Sequence, residues 1–191
     1  MNVIAGKYKH RKLKTLPSLS TRPTTARVKE DLFNILNNYF IFTNKVSLDL
    51  FAGSGALSLE GLSRGVKKAY VNDLNPEALA IIKENFHGLD PNDYVLSQSD
   101  YLVLLNQLAS SQVKVDLIYL DPPFPHTEYY EQFFQKLAAL NLLNNWGVVV
   151  VESPIPLEKM VSDWLKLLKS KVVKSKVDKY LYVFRLEEKE N

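Results

Sequence analysis

Asp121, Pro122, Pro123 and Phe124 stand directly after the apolar run Val115 to Leu120, and they bring an acid, backbone carbonyls and an aromatic ring to one place. Two prolines cannot donate to a sheet ladder and hold their predecessors extended, so the run must end there as a strand with its last carbonyls unpaired. Such a grouping suits a planar amine. Asp121 and the Pro122 carbonyl accept its two hydrogens while Phe124 stacks on its ring, base stacking being worth about 1 to 3 kcal/mol. The lone pair of an exocyclic amine on a nucleobase is delocalised into the ring and is a poor nucleophile. Two placed acceptors pyramidalise it and aim the pair at an electrophile, and an in-line methyl transfer gains chiefly from that orientation. Asp121 need not be a strong base, because the amine becomes acidic once methylated and gives its proton to that carboxylate or to water. The plainer alternative is a proline turn with a core phenylalanine.

A second constellation lies in residues 46 to 65, VSLDLFAGSGALSLEGLSRG. Val46, Leu48 and Leu50 form an apolar run, Gly53 and Gly55 break it, and Leu57, Leu59 and Leu62 follow at helical spacing. A strand that turns through glycines into a helix offers backbone N–H groups and the positive end of the helix dipole to a polar small molecule. The third glycine of a dinucleotide fingerprint is replaced by Ser58, which disfavours a nicotinamide or flavin. The two glycines alone fit a structural turn equally well. Asp73 closes the next apolar run 24 positions after Asp49, near the interval at which a wound sheet delivers a carboxylate to ribose hydroxyls; capping a helix is the alternative. Asp100 precedes the apolar helix Tyr101 to Leu108, where it caps that helix or accepts from the amino group of an adenine.

These residues need a scaffold, and the hydrophobic pattern supplies one. Strands are expected at Val46 to Leu50, Ala69 to Asn72, Tyr94 to Leu96, Val115 to Leu120 and Val148 to Val151, the last ending at Glu152. Helices are expected between them, including one opened by Asn75 and Pro76 with Ala78, Leu79, Ile82 and Phe86 inward. Another is expected over Pro156 to Leu168 with Leu157, Met160, Val161, Trp164 and Leu168 inward. Val172 to Val177 and Tyr180 to Leu186 are close enough to require a hairpin, and residues 187 to 191 form a charged tail expected to fray. The result is an α/β fold of wound, Rossmann-like type, with helices on both faces and an antiparallel last strand.

The chain has 191 residues, 46% of them hydrophobic, enough for one domain with a substantial core. The formal charge is only +3, but residues 1 to 30 hold Lys7, Lys9, Arg11, Lys12, Lys14, Arg22, Arg27 and Lys29 against Glu30 alone. That segment is either a phosphate-contacting surface or a solvated arm. Residues 3 to 16 mix basic groups with Tyr8 and His10, as suits a strand or hairpin on a phosphate backbone. Thr24 or Thr25 can cap a helix whose inward face is Val28, Leu32, Ile35, Leu36 and Tyr39. Arg27 and Lys29 in its first turn oppose the helix dipole, which points to a bound anion or cofactor carboxylate, or to chance. Cysteine is absent, excluding disulfides and thiolate chemistry and fitting a reducing compartment. His10, His87 and His126 have no ligand spacing, so no metal is expected, and no apolar run approaches a membrane span, so a cytoplasmic protein is expected.

With both motifs placed, the chain resembles the class I S-adenosylmethionine-dependent methyltransferases that modify exocyclic amines of nucleobases. It is most similar to the RsmD type, which methylates the N2 amine of one guanine in 16S ribosomal RNA. VIAGKYKHRKL, RPTTARVKEDLFNIL, LDLFAGSGALSLEGLSRG, DLIYLDPPF and VVVES carry the resemblance, in order over nearly the whole chain. It implies a seven-stranded, mostly parallel sheet with the last strand reversed. A basic extension over residues 1–24 would precede a methyltransferase domain over 25–191. S-adenosylmethionine would lie over Gly53 and Gly55 beside Phe51, with its ribose on Asp73, its adenine near Leu74 and Asp100, and Asp49 orienting the loop or the cofactor ammonium. A flipped guanine, guanine 966 by the family's numbering of the RNA, would lie between Asp121 and Phe124, flanked by Pro122 and Pro123. Lys7, Lys9, Arg11, Lys12, Arg22 and Arg27 would hold RNA of the small ribosomal subunit, and Arg22 to Thr25 would line the pocket. The enzyme would act as a monomer. The sequence departs from the family at VNDLNPEA, where a glutamate-led strand is more usual, and at Asp178-Lys179, where a glycine is common.

Three readings compete. An N6-adenine methyltransferase would use the same acceptors, although such enzymes usually end the motif in tyrosine and often begin it with asparagine. A nucleotide-binding oxidoreductase lacks its third glycine and any evident hydride-handling residue. A silent RNA-binding protein would have no need of an acid at 121. Glu152 either lines the pocket or caps its strand, and Tyr129 and Tyr130 either form a lid or pack at a helix start.

Overall fold

Alternating apolar runs and helical repeats build a single wound sheet in the computed structural model, which describes residues 1–16, 26–123, 126–158, 160–161, 163–174 and 178–187. Arg22, Thr24, Thr25, Phe124 and most of the charged tail lie outside the described residues. In chain order the elements are α1 (Ala26–Leu36), β1 (Val46–Asp49), α2 (Ala56–Ser63), β2 (Lys68–Asn72), α3 (Pro76–Asn85), β3 (Tyr94–Ser97), α4 (Tyr101–Ser110), β4 (Val115–Leu120), α5 (Glu128–Ala139), β5 (Leu143–Ser153), β6 (Leu165–Val173) and β7 (Lys179–Leu186). The sheet order is β3-β2-β1-β4-β5-β7-β6. The five strands from β3 to β5 are parallel, and β7 runs antiparallel to both β5 and β6.

Winding reverses between β1 and β4, so the chain leaves both strands beside a crevice at the carboxyl edge of the sheet. Side chains alternate across the sheet: Leu117 and Tyr119 pack with α1, α2 and α3, whereas Ile118 and Leu120 pack with α4 and α5. Two apolar layers therefore clamp the central strands, and the strand ends are fixed in depth and register.

Residues 156–168 correct the sequence reading. No helix forms there among the described residues, and β6 occupies Leu165–Val173, with eight of its residues paired with β7 and a register shift between Leu167 and Lys169. Leu157 is buried, but Met160 is exposed. The helical spacing of the apolar residues loses to tertiary pairing, because β7 carries a second ladder edge whose N–H and C=O groups β6 satisfies. The closing hairpin accordingly begins earlier than the expected Val172, and its residues 175–177 lie outside the described ones.

The inward face of α1 is Val28, Lys29, Leu32, Phe33 and Leu36, so Phe33 and Lys29 take places expected for Ile35 and Tyr39. Residues 1–16 fold as a small hairpin against the domain. Val3 N–H donates to the Arg11 carbonyl at 2.9 Å, Asn2 bridges Lys12, and Val3 and Leu13 join the core of α1 to α3. No helix among the described residues is long and apolar enough to cross a membrane.

Candidate active site

The glycine turn is tied down before it meets any ligand. Gly53 and Gly55 adopt left-handed φ angles of 55° and 75°, which disfavour a side chain at either position. Their surroundings differ. A Cβ on Gly55 would lie 2.9 Å from the Phe86 ring, whereas one on Gly53 would meet nothing within 4 Å. Gly55 is thus a packing glycine at the start of α2, and Gly53 faces open space.

Asp73 holds this turn in place. Its Oδ2 accepts from the Gly53 N–H at 2.7 Å and its Oδ1 from the Asn75 N–H at 2.9 Å. Behind it, the Asn72 amide donates to the carbonyls of Leu50 and Ser99 at 3.0 and 2.9 Å, while its Oδ1 accepts from the Ser97 hydroxyl and the Ser99 N–H. One buried side chain therefore locks the ends of β1, β2 and β3 together. Its signal in the sequence is a lone polar residue at the end of an apolar run.

Asp49 sits behind the turn, 2% exposed, with the Ser58 hydroxyl donating to its Oδ2 at 2.9 Å. Burial pushes its carboxyl up to about 7; the Ser58 hydroxyl pulls the other way and the nearby Asp73 charge adds to the rise. Asp100 caps α4, its Oδ1 accepting from the N–H groups of Leu102 and Val103.

A cavity of about 760 Å³ gathers the strand ends. The glycine turn contributes Phe51 to Ser54, the end of β2 contributes Asp73 and Leu74, and the start of α4 contributes Asp100 and Tyr101. Asp121, Pro122 and Pro123 line the same space, as do Tyr129, Tyr130 and Glu152. Asp49 and Gly55 lie outside this lining. Phe51, Tyr101 and Tyr129 form an aromatic wall: the Phe51 and Tyr129 rings stack with centroids 5.8 Å apart, and each lies 5.1 Å from Tyr101. Burial raises the Tyr101 phenol to about 12 and also raises that of Tyr130. Tyr130 donates its hydroxyl to the Glu152 carbonyl at 2.9 Å and so braces a strand end.

The basic segment divides. Lys7, Lys9 and Lys12 are exposed on the hairpin, Arg11 is half-buried with its guanidinium on the His87 carbonyl, and Arg27 is exposed on α1. Lys29 has a different place. It is fully buried, donating to the Asn2 carbonyl at 2.7 Å and to Glu60 at 3.1 Å, so the anion or cofactor carboxylate expected in the first turn of α1 is an internal glutamate. Glu60 also accepts from the N–H groups of Ile4 and Ala5 and from Arg64. Among the described residues no cluster of three or more histidines and acids could hold a metal ion.

The family described as conserved hypothetical protein 95 matches residues 1–182. Ribosomal RNA small subunit methyltransferase D of Haemophilus influenzae is 38% identical over 156 residues, 80% of this chain and 78% of that protein. The protein of the same name in Escherichia coli is 31% identical over 165 residues, 86% and 77% of the two chains. The solved structure of the Escherichia coli protein yhhF superposes with a TM-score of 0.81 at 28% identity, covering 98% of this chain and 99% of that one.

Proposed function

We propose, since this chain belongs to the family described as conserved hypothetical protein 95, the RsmD type of class I methyltransferase, that it methylates ribosomal RNA with S-adenosylmethionine. The acceptor is the N2 amine of a guanine in the 16S RNA of the small subunit, guanine 966 by family resemblance. The observation that carries this reading is that one cavity is lined both by the Gly53 turn with Asp73 and by Asp121-Pro122-Pro123. A site for a nucleoside-bearing donor and a site for a planar amine thus share one space.

The residues present fit the cofactor. The open face of Gly53 leaves room where a Cβ would intrude, Asp73 presents a carboxylate to a ribose diol, and Leu74 and Asp100 offer an apolar face and an acceptor to an adenine. Phe51 closes one wall, and Asp49 supports the turn from behind through Ser58, buried outside the cavity lining, so of the two roles expected for it the orienting of the loop is the one its place fits. When bound, the cofactor supplies an electrophilic methyl group on a positively charged sulfur.

The chain's own residues do the rest. Asp121 follows β4, whose Leu120 pairs with Val151, so its position is fixed by the most deeply packed part of the sheet. Its carboxylate and the Pro122 carbonyl accept the two hydrogens of the amine, pyramidalise the nitrogen and so localise its lone pair, which conjugation had spread into the ring. Orientation of this kind accounts for most of the acceleration. Once the nitrogen carries the methyl group its proton is acidic, and the Asp121 carboxylate or water takes it. Phe124 stacks on the base, and the exposed Lys7, Lys9, Lys12 and Arg27, with Arg11 and Arg22, hold the phosphate backbone.

The test is to incubate the purified protein with labelled S-adenosylmethionine and small subunits from a strain lacking the gene, then to analyse the RNA nucleosides. Label in N2-methylguanosine is expected. Label in N6-methyladenosine would move the assignment to the adenine-directed class.

A further inference from the structure

Glu152 and Lys179 form an ion pair inside the cavity, joining β5 to β7 across the end of the sheet. Their side chains are only 10% and 17% exposed, and both line the same space as Asp121. Taking two charges out of water is expensive, and apolar side chains of similar volume usually serve stability as well or better. The pair stands where strand geometry puts it beside the reacting amine. Leu120 of β4 is in register with Val151 of β5, so Asp121 and Glu152 are the residues that follow the last paired position of two neighbouring parallel strands. Lys179 begins β7, which runs antiparallel to β5 and pairs Leu181 with Glu152. The Tyr130 hydroxyl holds the Glu152 backbone at 2.9 Å, which fixes the carboxylate's origin.

We infer that Glu152 and Lys179 read the edge of the target guanine next to its N2 amine, Glu152 accepting from N1–H and Lys179 donating to O6. The inference rests on the guanine reading above and says what selects that base. Moving along guanine from the N2 amine one meets a donor and then an acceptor. Beside the N6 amine of adenine one meets an unprotonated nitrogen, whose lone pair a carboxylate repels. A carboxylate next to the amine, backed by an ammonium, therefore complements guanine and rejects adenine, while Asp121 and the Pro122 carbonyl would accept either amine. Discrimination of a base edge by two such contacts corresponds to about tenfold to a hundredfold.

The test uses small subunits reconstituted with 16S RNA carrying guanine or 2-aminopurine at the modified nucleotide. Both bases have the C2 amine, but 2-aminopurine lacks N1–H and O6. The full-length protein is expected to methylate guanine tenfold to a hundredfold faster in single-turnover assays. Glu152→Leu combined with Lys179→Met removes both charges together, keeps the volume, and is expected to lower the guanine rate to that of 2-aminopurine. Glu152→Gln can turn either its oxygen to N1–H or its amide N–H to an unprotonated N1, and is expected to lose much of the preference. Equal rates on the two bases with the unaltered protein, or an equal loss on both in the double variant, would overturn the inference. Absence of N2-methylguanosine in unsubstituted subunits is a separate result, read first, and would overturn the underlying function together with it.

Discussion

Asp73 accepts the Gly53 N–H at 2.7 Å, so the acid proposed to meet a ribose also fixes the shape of the glycine turn. Replacing it therefore acts twice. Asp73→Ala is expected to weaken S-adenosylmethionine binding tenfold to a hundredfold by calorimetric titration, in line with loss of hydrogen bonds to a charged group worth about 1.5 to 3 kcal/mol. Asp73→Asn keeps an oxygen for Gly53 and should lose less. Equal losses would show that the turn contact contributes nothing.

Asp121→Ala should abolish methyl transfer while leaving cofactor affinity nearly intact, because Asp121 follows β4 and the turn follows β1. Binding and single-turnover rates measured on one preparation separate the roles. A matched fall in cofactor affinity would reject the division.

Asp49 makes stability depend on pH. Its carboxyl rises from 3.8 to about 7 on folding, because burial disfavours the charged form. The native state then holds a proton that the unfolded chain releases between those values, so stability falls as pH rises through this window and levels off above it. At the upper end the loss is at most about 4 kcal/mol. Urea midpoints of the protein and of Asp49→Asn should diverge between pH 4 and pH 7, the variant lacking this decline. Parallel curves would show that Asp49 ionises without penalty.

Glu60 holds the hairpin and Lys29 at once, with its side chain 0% exposed. Lys29→Met leaves that acid without its buried cation and should destabilise the fold by about 3 to 5 kcal/mol in chemical denaturation. Amide exchange at Ile4 and Ala5 should accelerate with it. A loss below 1 kcal/mol would mean that Arg64 alone compensates the charge.

Changing Lys9, Arg11 and Lys12 together to glutamine should lower affinity for the ribosomal RNA and make its salt dependence shallower, by about 0.7 to 0.9 in the logarithmic slope for each phosphate no longer neutralised. Filter binding between low and moderate salt measures this directly. An unchanged slope would remove the hairpin from the RNA surface.

The parallel half of the fold was legible because its signals are local. Gly53 and Gly55 after an apolar run, and the prolines after Leu120, each mark the end of a strand without reference to anything distant. Lys29 was misread for the opposite reason. Its partner Glu60 lies on another helix, and no local pattern distinguishes a lysine aimed at solvent from one aimed at a buried acid. Leu157, Val161, Trp164 and Leu168 have helical spacing, yet strand pairing with β7 decides the structure from Leu165 onward. Asp100 and Asp73 each admit two roles from sequence, and capping by Asp100 and bracing of the turn by Asp73 leave each of them on the cavity wall as well.

Helix α2 links two parts of the molecule that are distant in sequence. Its first residues, Ala56 and Leu57, line the cavity, while its last turn grips the hairpin: Glu60 takes the Ile4 and Ala5 amides, and the Ser63 carbonyl takes that of Lys7 at 2.7 Å. Gly6 lies so close that a Cβ there would stand 1.8 Å from that carbonyl. Eight residues of helix amount to a stiff spacer of about 12 Å. The helix therefore acts as a ruler, setting one distance between the basic surface and the cavity, and under the proposed function a strand of RNA lying on the hairpin would be offered to the pocket at a fixed offset along its own backbone.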